Sequence, residues 1–130
     1  MKIPTDKETF ETELGTYWFD EEGILNSVSS PAKRTLENTR YNFDLVQKLS
    51  AGRKPCLLVQ LCNSPKPSRE TQAYVKQRLP DTYTAMAMLS DSGVGELIMN
   101  ILFKLQKPPI PMKTFRDEEK ARAWISGFAK

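Results

Sequence analysis

At 130 residues, with 39% hydrophobic and 27% charged content, the chain has the composition of one globular domain over residues 1–130, large enough to bury a core without disulfide staples. It contains no histidine, which excludes Ser-His-Asp and Cys-His nucleophilic chemistry and histidine metal sites, and two cysteines alone do not make a zinc site. The net charge of +3 is unevenly spread, acidic over residues 1–22 and basic over residues 23–80, but no basic block is long enough for a nucleic-acid arm.

Met1 to Asp6 reads as a loose end. Met1 to Phe10 lacks the apolar core of a signal peptide, and no apolar run approaches the ~20 residues of a membrane span, so a cytoplasmic location is expected. Residues 8–14 alternate through Phe10, Thr12 and Leu14 and suit an edge strand. Thr16–Asp20 is a short aromatic strand, Asp20-Glu-Glu-Gly23 a turn, and Ile24–Val28 the returning strand of a hairpin. Tyr17 and Phe19 face one side; Trp18 faces the other, as the cover of a second core or as an exposed contact.

Ser30-Pro31 has the residue types of a helix start, with Ser30 as N-cap and the helix running to about Leu49. Its stripe is Leu36, Phe43, Val46 and Leu49, with Leu45 beside it, and Ala51-Gly52 ends it. Pro55–Cys62 is a near-continuous apolar run between turn clusters, the pattern of a strand covered on both faces. Cys56 and Cys62 on one strand would stand roughly 20 Å apart, so both are expected as free thiols. A helix capped by Ser64 or Ser68 follows, with Ala73, Val75 and Leu79 on its inner face, Tyr74 to one side and Pro80 as its end. Thr84–Leu89 is the next strand: Ala85, Ala87 and Leu89 line one face, where a helix could approach closely, and Met86 and Met88 the other. A third helix is expected from Val94 to about Gln106, then the proline-rich break 107–111 and a strand over Met112–Phe115. Asp117 caps a last helix that buries Ala121, Trp124, Ile125 and Phe128. The order is β-hairpin-α-β-α-β-α-β-α, an α/β fold with a four- to five-stranded mixed sheet flanked by helices.

Two candidate sites emerge. On a helical wheel the third helix has a core stripe of Val94, Leu97, Ile98, Ile101, Leu102 and Leu105, while Met99 and Phe103 fall outside it, and only Glu96, Asn100 and Lys104 are polar. Met99, Phe103 and Leu102 are therefore expected to form an apolar surface, either buried beneath loop 107–111 or given to a ligand, a membrane or a second copy of the chain. The second site is an anion site at Asn63, Ser64, Lys66, Ser68 and Arg69, beside a helix N-terminus; its plain alternative is a solvated loop with an ordinary cap.

The chain resembles the STAS/SEC14-type, SpoIIAA-like small bacterial domains. The resemblance rests on Asp-Glu-Glu-Gly-Ile-Leu (20–25), Arg-Thr-Leu-Glu-Asn (34–38), Pro-Cys-Leu-Leu-Val (55–59), Ala-Met-Ala-Met-Leu (85–89) and Pro-Met-Lys-Thr-Phe-Arg-Asp-Glu-Glu-Lys-Ala-Arg-Ala-Trp-Ile (111–125). It implies the STAS/SpoIIAA-like fold and a non-catalytic binding or regulatory module, without a cofactor. Its implied partner is a protein chain (a homodimer included), an apolar ligand such as a lipid, or a peripheral membrane surface. Anti-sigma-factor antagonists of this architecture carry a phosphorylated serine in an Asp-Ser-Ser-Gly loop. Ser90-Asp-Ser-Gly-Val-Gly95 is a near match, but the element order puts the equivalent loop at Asn63, so Ser92 reads as part of a helix cap. The alternative function is a small enzyme or anion-ligand binder using residues 63–69.

Overall fold

The computed structural model of the chain describes residues 1–91, 93–103 and 106–129. Ser92, Lys104 and Leu105, which figure in the expected third helix and its cap, lie outside the described residues. The elements run β1 (Phe10–Thr12), β2 (Gly15–Phe19), β3 (Leu25–Ser29), α1 (Leu36–Leu49), β4 (Leu57–Gln60), α2 (Arg69–Thr82), β5 (Met86–Leu89), α3 (Val94–Leu102), β6 (Met112–Phe115) and α4 (Glu118–Ser126). The six strands form one sheet in chain order, β1-β2-β3-β4-β5-β6. β1, β2 and β3 pair antiparallel, and β3 to β6 pair parallel. The sheet thus has six strands rather than four or five, because the short alternation near Phe10 does pair, with Phe10 opposite Tyr17.

The hairpin closes where Gly23 supplies φ +79° and Asp20 accepts from the backbone of Glu22 and Ile24. Beyond it, each parallel crossover steps one strand in the same direction. With a constant right-handed sense, that sets α1, α2 and α3 on one face of the sheet. Their core joins Phe43 and Val46 of α1, Leu79 of α2 and Phe103 to Leu25, Leu57, Val59, Met86 and Met88 of the sheet. α4 covers the other face with Ala121 and Ile125, against Leu58, Ala85, Ala87, Ile24 and Cys56. The expected split of β5 is what the structure shows: alanines toward α4, methionines toward the three-helix side.

Several boundaries differ from expectation. α1 begins at Leu36, not after Ser30. The Ser30 hydroxyl donates to the Glu13 carbonyl (2.6 Å), and the Arg34 guanidinium donates to the carbonyls of Ser30, Ala32 and Leu14. Those bonds hold 30–34 out of a helix. The helix starts instead at a capping box: the Asn38 amide donates to Thr35 Oγ1 and the Thr35 amide to Asn38 Oδ1. Pro80 lies inside α2, which continues to Thr82. A proline this near the end forfeits one amide bond, and the last turn is held by Tyr83 N to Leu79 O and Thr82 Oγ1 to Arg78 O. α2 buries Thr71, Leu79 and Thr82, while Ala73 is exposed.

Met1 packs against the α4-side core and its amino group contacts Gln60 and Glu118, so the first residue is not loose. Trp18 is buried, not an exposed contact. Trp124 is half-buried, its ring against Phe115 and Phe128 at centroid separations of 5.7 and 4.7 Å, and Phe128 is exposed. Cys56 is buried and Cys62 half-buried; both are free thiols. No helix among the described residues is long and apolar enough to cross a membrane.

Candidate ligand cavity and basic groove

α3 ends at Leu102, one turn short of the expected Gln106. Its first turn is pressed onto β6 at Gly95, where an added Cβ would stand 2.8 Å from Thr114 Cγ2. Phe103 follows at φ −122° and ψ −22°, outside helical geometry, so the ideal wheel does not apply to it. It is 4% exposed and belongs to the main core, and Met99 and Leu102 pack against that core. Of the two alternatives, Phe103 takes burial, in one core with Ile110 of loop 107–111, and Met99 is half-buried. The exposed apolar residue of α3 is Leu97, at 55%, which the wheel had put on the core stripe.

These shifts leave a space. Between the sheet and α1–α3 lies a cavity of about 200 Å³. Its floor is Leu57, Val59, Leu61, Met86, Met88 and Met112, and its helix walls are Phe43, Val75, Leu79, Ile98 and Leu102. It is half-open to the surface, a cleft into the core between the helices and the sheet. Leu102 is the one expected binding residue that lines it.

The end nearest β2 and the start of α1 is polar, with Tyr17, Arg34, Thr39 and Asn42. Asn42 Nδ2 donates to the Tyr17 hydroxyl at 2.7 Å, and Thr12 Oγ1 donates to Asn42 Oδ1 at 2.8 Å. Burial raises the Tyr17 pKa, opposed in part by Asn42, Ser27 and the Arg34 charge, so the phenol is neutral at pH 7. Burial likewise pulls the Arg34 guanidinium below the usual arginine value, without making it neutral. Sequence reasoning missed this end. The available signal was that Thr39 and Asn42 fall on the same helical stripe as Phe43 and Val46, polar residues where burial was due.

The expected anion site is divided. Ser68 is spent as the N-cap of α2, accepting from Thr71 N. Asn63 and Ser64 are exposed and do not line the neighbouring groove. Lys66 and Arg69 do. With Lys76, Gln72, Asn100 and Gln106 they border an open groove of about 570 Å³ between α2 and α3, whose apolar side is Ile101, Leu102 and Phe103. The two sites drawn separately from the sequence therefore meet at one groove through Lys66, Arg69, Leu102 and Phe103.

A mixed sheet of sequential strands, three helices on one face and one on the other, is the architecture of the SpoIIAA-like proteins. An uncharacterized protein of the DUF3478 family from Shewanella loihica PV-4, whose crystal structure has a SpoIIAA-like fold, superposes with a TM-score of 0.60 over 85% of this chain and 91% of its own, at 14% identity. By its sequence the chain belongs to the family described as a domain of unknown function (DUF7793), whose model matches residues 17–129. Among curated proteins none matches the chain.

Proposed function

We propose that the chain is a binding module of the STAS/SEC14 type that takes a small apolar ligand into the cavity between the sheet and α1–α3. The observation that carries this reading is the cavity itself, about 200 Å³ and walled mostly by aliphatic, methionine and aromatic side chains. A dry apolar cavity of ~150 Å³ holds benzene, so this one suits a ligand of that order rather than a two-chain phospholipid. Methionines at its floor, Met86, Met88 and Met112, can adjust to differently shaped guests. In this reading the module acts in the cytoplasm, by binding rather than by catalysis.

Isothermal titration of the full chain with toluene and octan-1-ol tests it, together with Val59→Phe. Phenylalanine at 59 should fill the cavity, leave the melting temperature within about 3 °C and abolish binding. If neither compound binds, or if Val59→Phe costs more than about 2 kcal/mol as in a fully packed core, the cavity has no such role.

A second reading is favoured by the groove between α2 and α3. Lys66, Arg69 and Lys76 bring three cations to it, and no carboxylate is among the described residues that line it. It would attract an anionic ligand or a phosphorylated partner. The same residues include no nucleophile and base in pair, so an enzymatic use finds no support there. Arg69→Ala should lower any thermal shift given by inorganic phosphate or nucleotides, and an absent shift in the parent chain would leave the groove as plain surface.

A further inference from the structure

We propose that the cavity's ligand is a monocarboxylate, an apolar acid whose carboxylate lies against the Arg34 guanidinium and the Tyr17 hydroxyl. The inference rests on the cavity reading above and adds the head group to it.

The polar groups of the cavity gather at one end. Arg34 donates to the Leu14 carbonyl just ahead of β2 (3.2 Å), Tyr17 lies on β2, and Asn42 of α1 holds the Tyr17 oxygen. The remaining walls toward β5 and β6 are apolar apart from the buried Tyr83, just ahead of β5. Such a space orients a guest with one polar terminus.

The charge at that end is uncompensated. Five ion pairs join the described residues, and Arg34 is in none of them. The other arginines near helix surfaces, Arg78 and Arg122, each meet a carboxylate. Glu37, the acid nearest in sequence, is in none of those pairs either, and Glu13 turns to Asn38 at 3.0 Å. Arg34 spends three N–H bonds on neutral carbonyls, which fix its position without cancelling its charge. A guanidinium has five N–H donors and does not deprotonate, so two donors and a full positive charge remain at the cavity. Tyr17 accepts from Asn42 and has the Ser27 hydroxyl within hydrogen-bonding reach, so its O–H can turn from Ser27 to a guest. An anion that takes the free Arg34 donors and the Tyr17 O–H completes the site.

The balance of charge selects the class of anion. One half-buried cation matches one negative charge. A phosphate monoester would leave a second negative charge against largely apolar walls, which is costly. The volume limits the tail to about a phenyl ring with a short spacer, or a chain of about eight carbons, judged against the benzene-sized cavity of ~150 Å³.

The test is isothermal titration of the full chain with octanoate, octan-1-ol and octyl phosphate. Octanoate should bind at least about tenfold tighter than octan-1-ol, and tighter than octyl phosphate. Arg34→Gln should remove the preference for the acid while leaving octan-1-ol affinity within about twofold, and Tyr17→Phe should weaken octanoate alone. Because Arg34 also braces residues 30–34, the preference of the unaltered protein is the deciding measurement should Arg34→Gln fail to fold. Octan-1-ol binding as tightly as octanoate would overturn the head-group assignment and leave the cavity reading standing. Octyl phosphate binding tightest would replace carboxylate by phosphate. Binding of none of the three at about 1 mM would remove both the assignment and the cavity reading.

Discussion

The two faces of the sheet are built on opposite principles. Toward α4 the contacts are small: Ala85, Ala87 and Ala121 let the helix settle directly on the strands, with Leu58 and Ile125 filling what remains. Toward α1–α3 the contacts are large: Tyr17, Phe43, Tyr83, Met86, Met88 and Phe103 hold three helices off the sheet, and a cavity survives among them. Small side chains at a packed interface produce density. Bulky ones, whose shapes do not all interlock, can leave space. The α4 face is thus a fixed backing and the α1–α3 face the one with room for a guest.

Deleting side-chain bulk from the α4 face should have the largest effect. Ile125 is fully buried there, and Ile125→Ala should cost about 2–5 kcal/mol in denaturant melts. A loss below about 1 kcal/mol would mean that α4 is not firmly docked and that the contrast between the faces is false. Adding bulk should separate them next. Ala121→Leu should cost about 1–3 kcal/mol because α4 has nowhere to go, whereas Val59→Leu, which adds bulk into the cavity, should cost less than about 1 kcal/mol. Equal costs would show that the two faces are packed alike.

Both faces carry a pH signature: burial raises the pKa of the Cys56 thiol on the α4 face and of two phenols on the α1–α3 face. Burial raises the Tyr17 pKa and raises that of Tyr83 well above its ordinary value. A phenol whose folded pKa exceeds its unfolded one keeps its stabilisation below the unfolded pKa, near 10. That contribution is lost as pH climbs above this point, because only the unfolded chain then releases the proton. Stability should therefore fall above about pH 10, and Tyr83→Phe should flatten the fall. A flat profile to pH 11 would place these hydroxyls in water.

The smallest expected effect lies at the end of α1, away from both faces. Ala51 sits at φ +53°, in the left-handed region that costs a non-glycine residue roughly 1–2 kcal/mol. Glycine relieves that cost but adds freedom to the unfolded chain. Ala51→Gly should accordingly stabilise by about 0.5–1 kcal/mol, read as a rise of a few degrees in melting temperature.

The sequence disclosed the α4 face far better than the other. Alternating alanines, an Asp117 cap and a stripe of Ala121 and Ile125 are local patterns that the structure keeps, although Trp124 of the same expected stripe is half-buried and Phe128 exposed. The central strand was equally legible, since an apolar run between turn clusters has few other uses. The three-helix face failed where a local signal lost to a distant one. Ser30-Pro31 has the form of a helix start, but Arg34 and the Glu13 carbonyl claim those residues from across the chain. Phe103 was assigned outside the core by a wheel that assumed unbroken helix to Gln106, while the helix stops at Leu102. Of the candidate site, Lys66, Arg69, Leu102 and Phe103 are legible in the sequence. The cavity was not, because an unfilled volume depends on how side chains from eight elements fit together, and no stretch of sequence encodes it.

The strictly sequential order of the strands bears on how the chain acquires its fold. β1, β2 and β3 form a meander whose pairings span few residues, and each later strand adds beside the one made just before it. No strand must wait for a gap to be filled by a later segment. A sheet of this kind can grow in one direction as the chain leaves the ribosome, β6 and α4 last, with loop-closure costs kept to one crossover at a time. The backing helix then arrives on a sheet that is already complete.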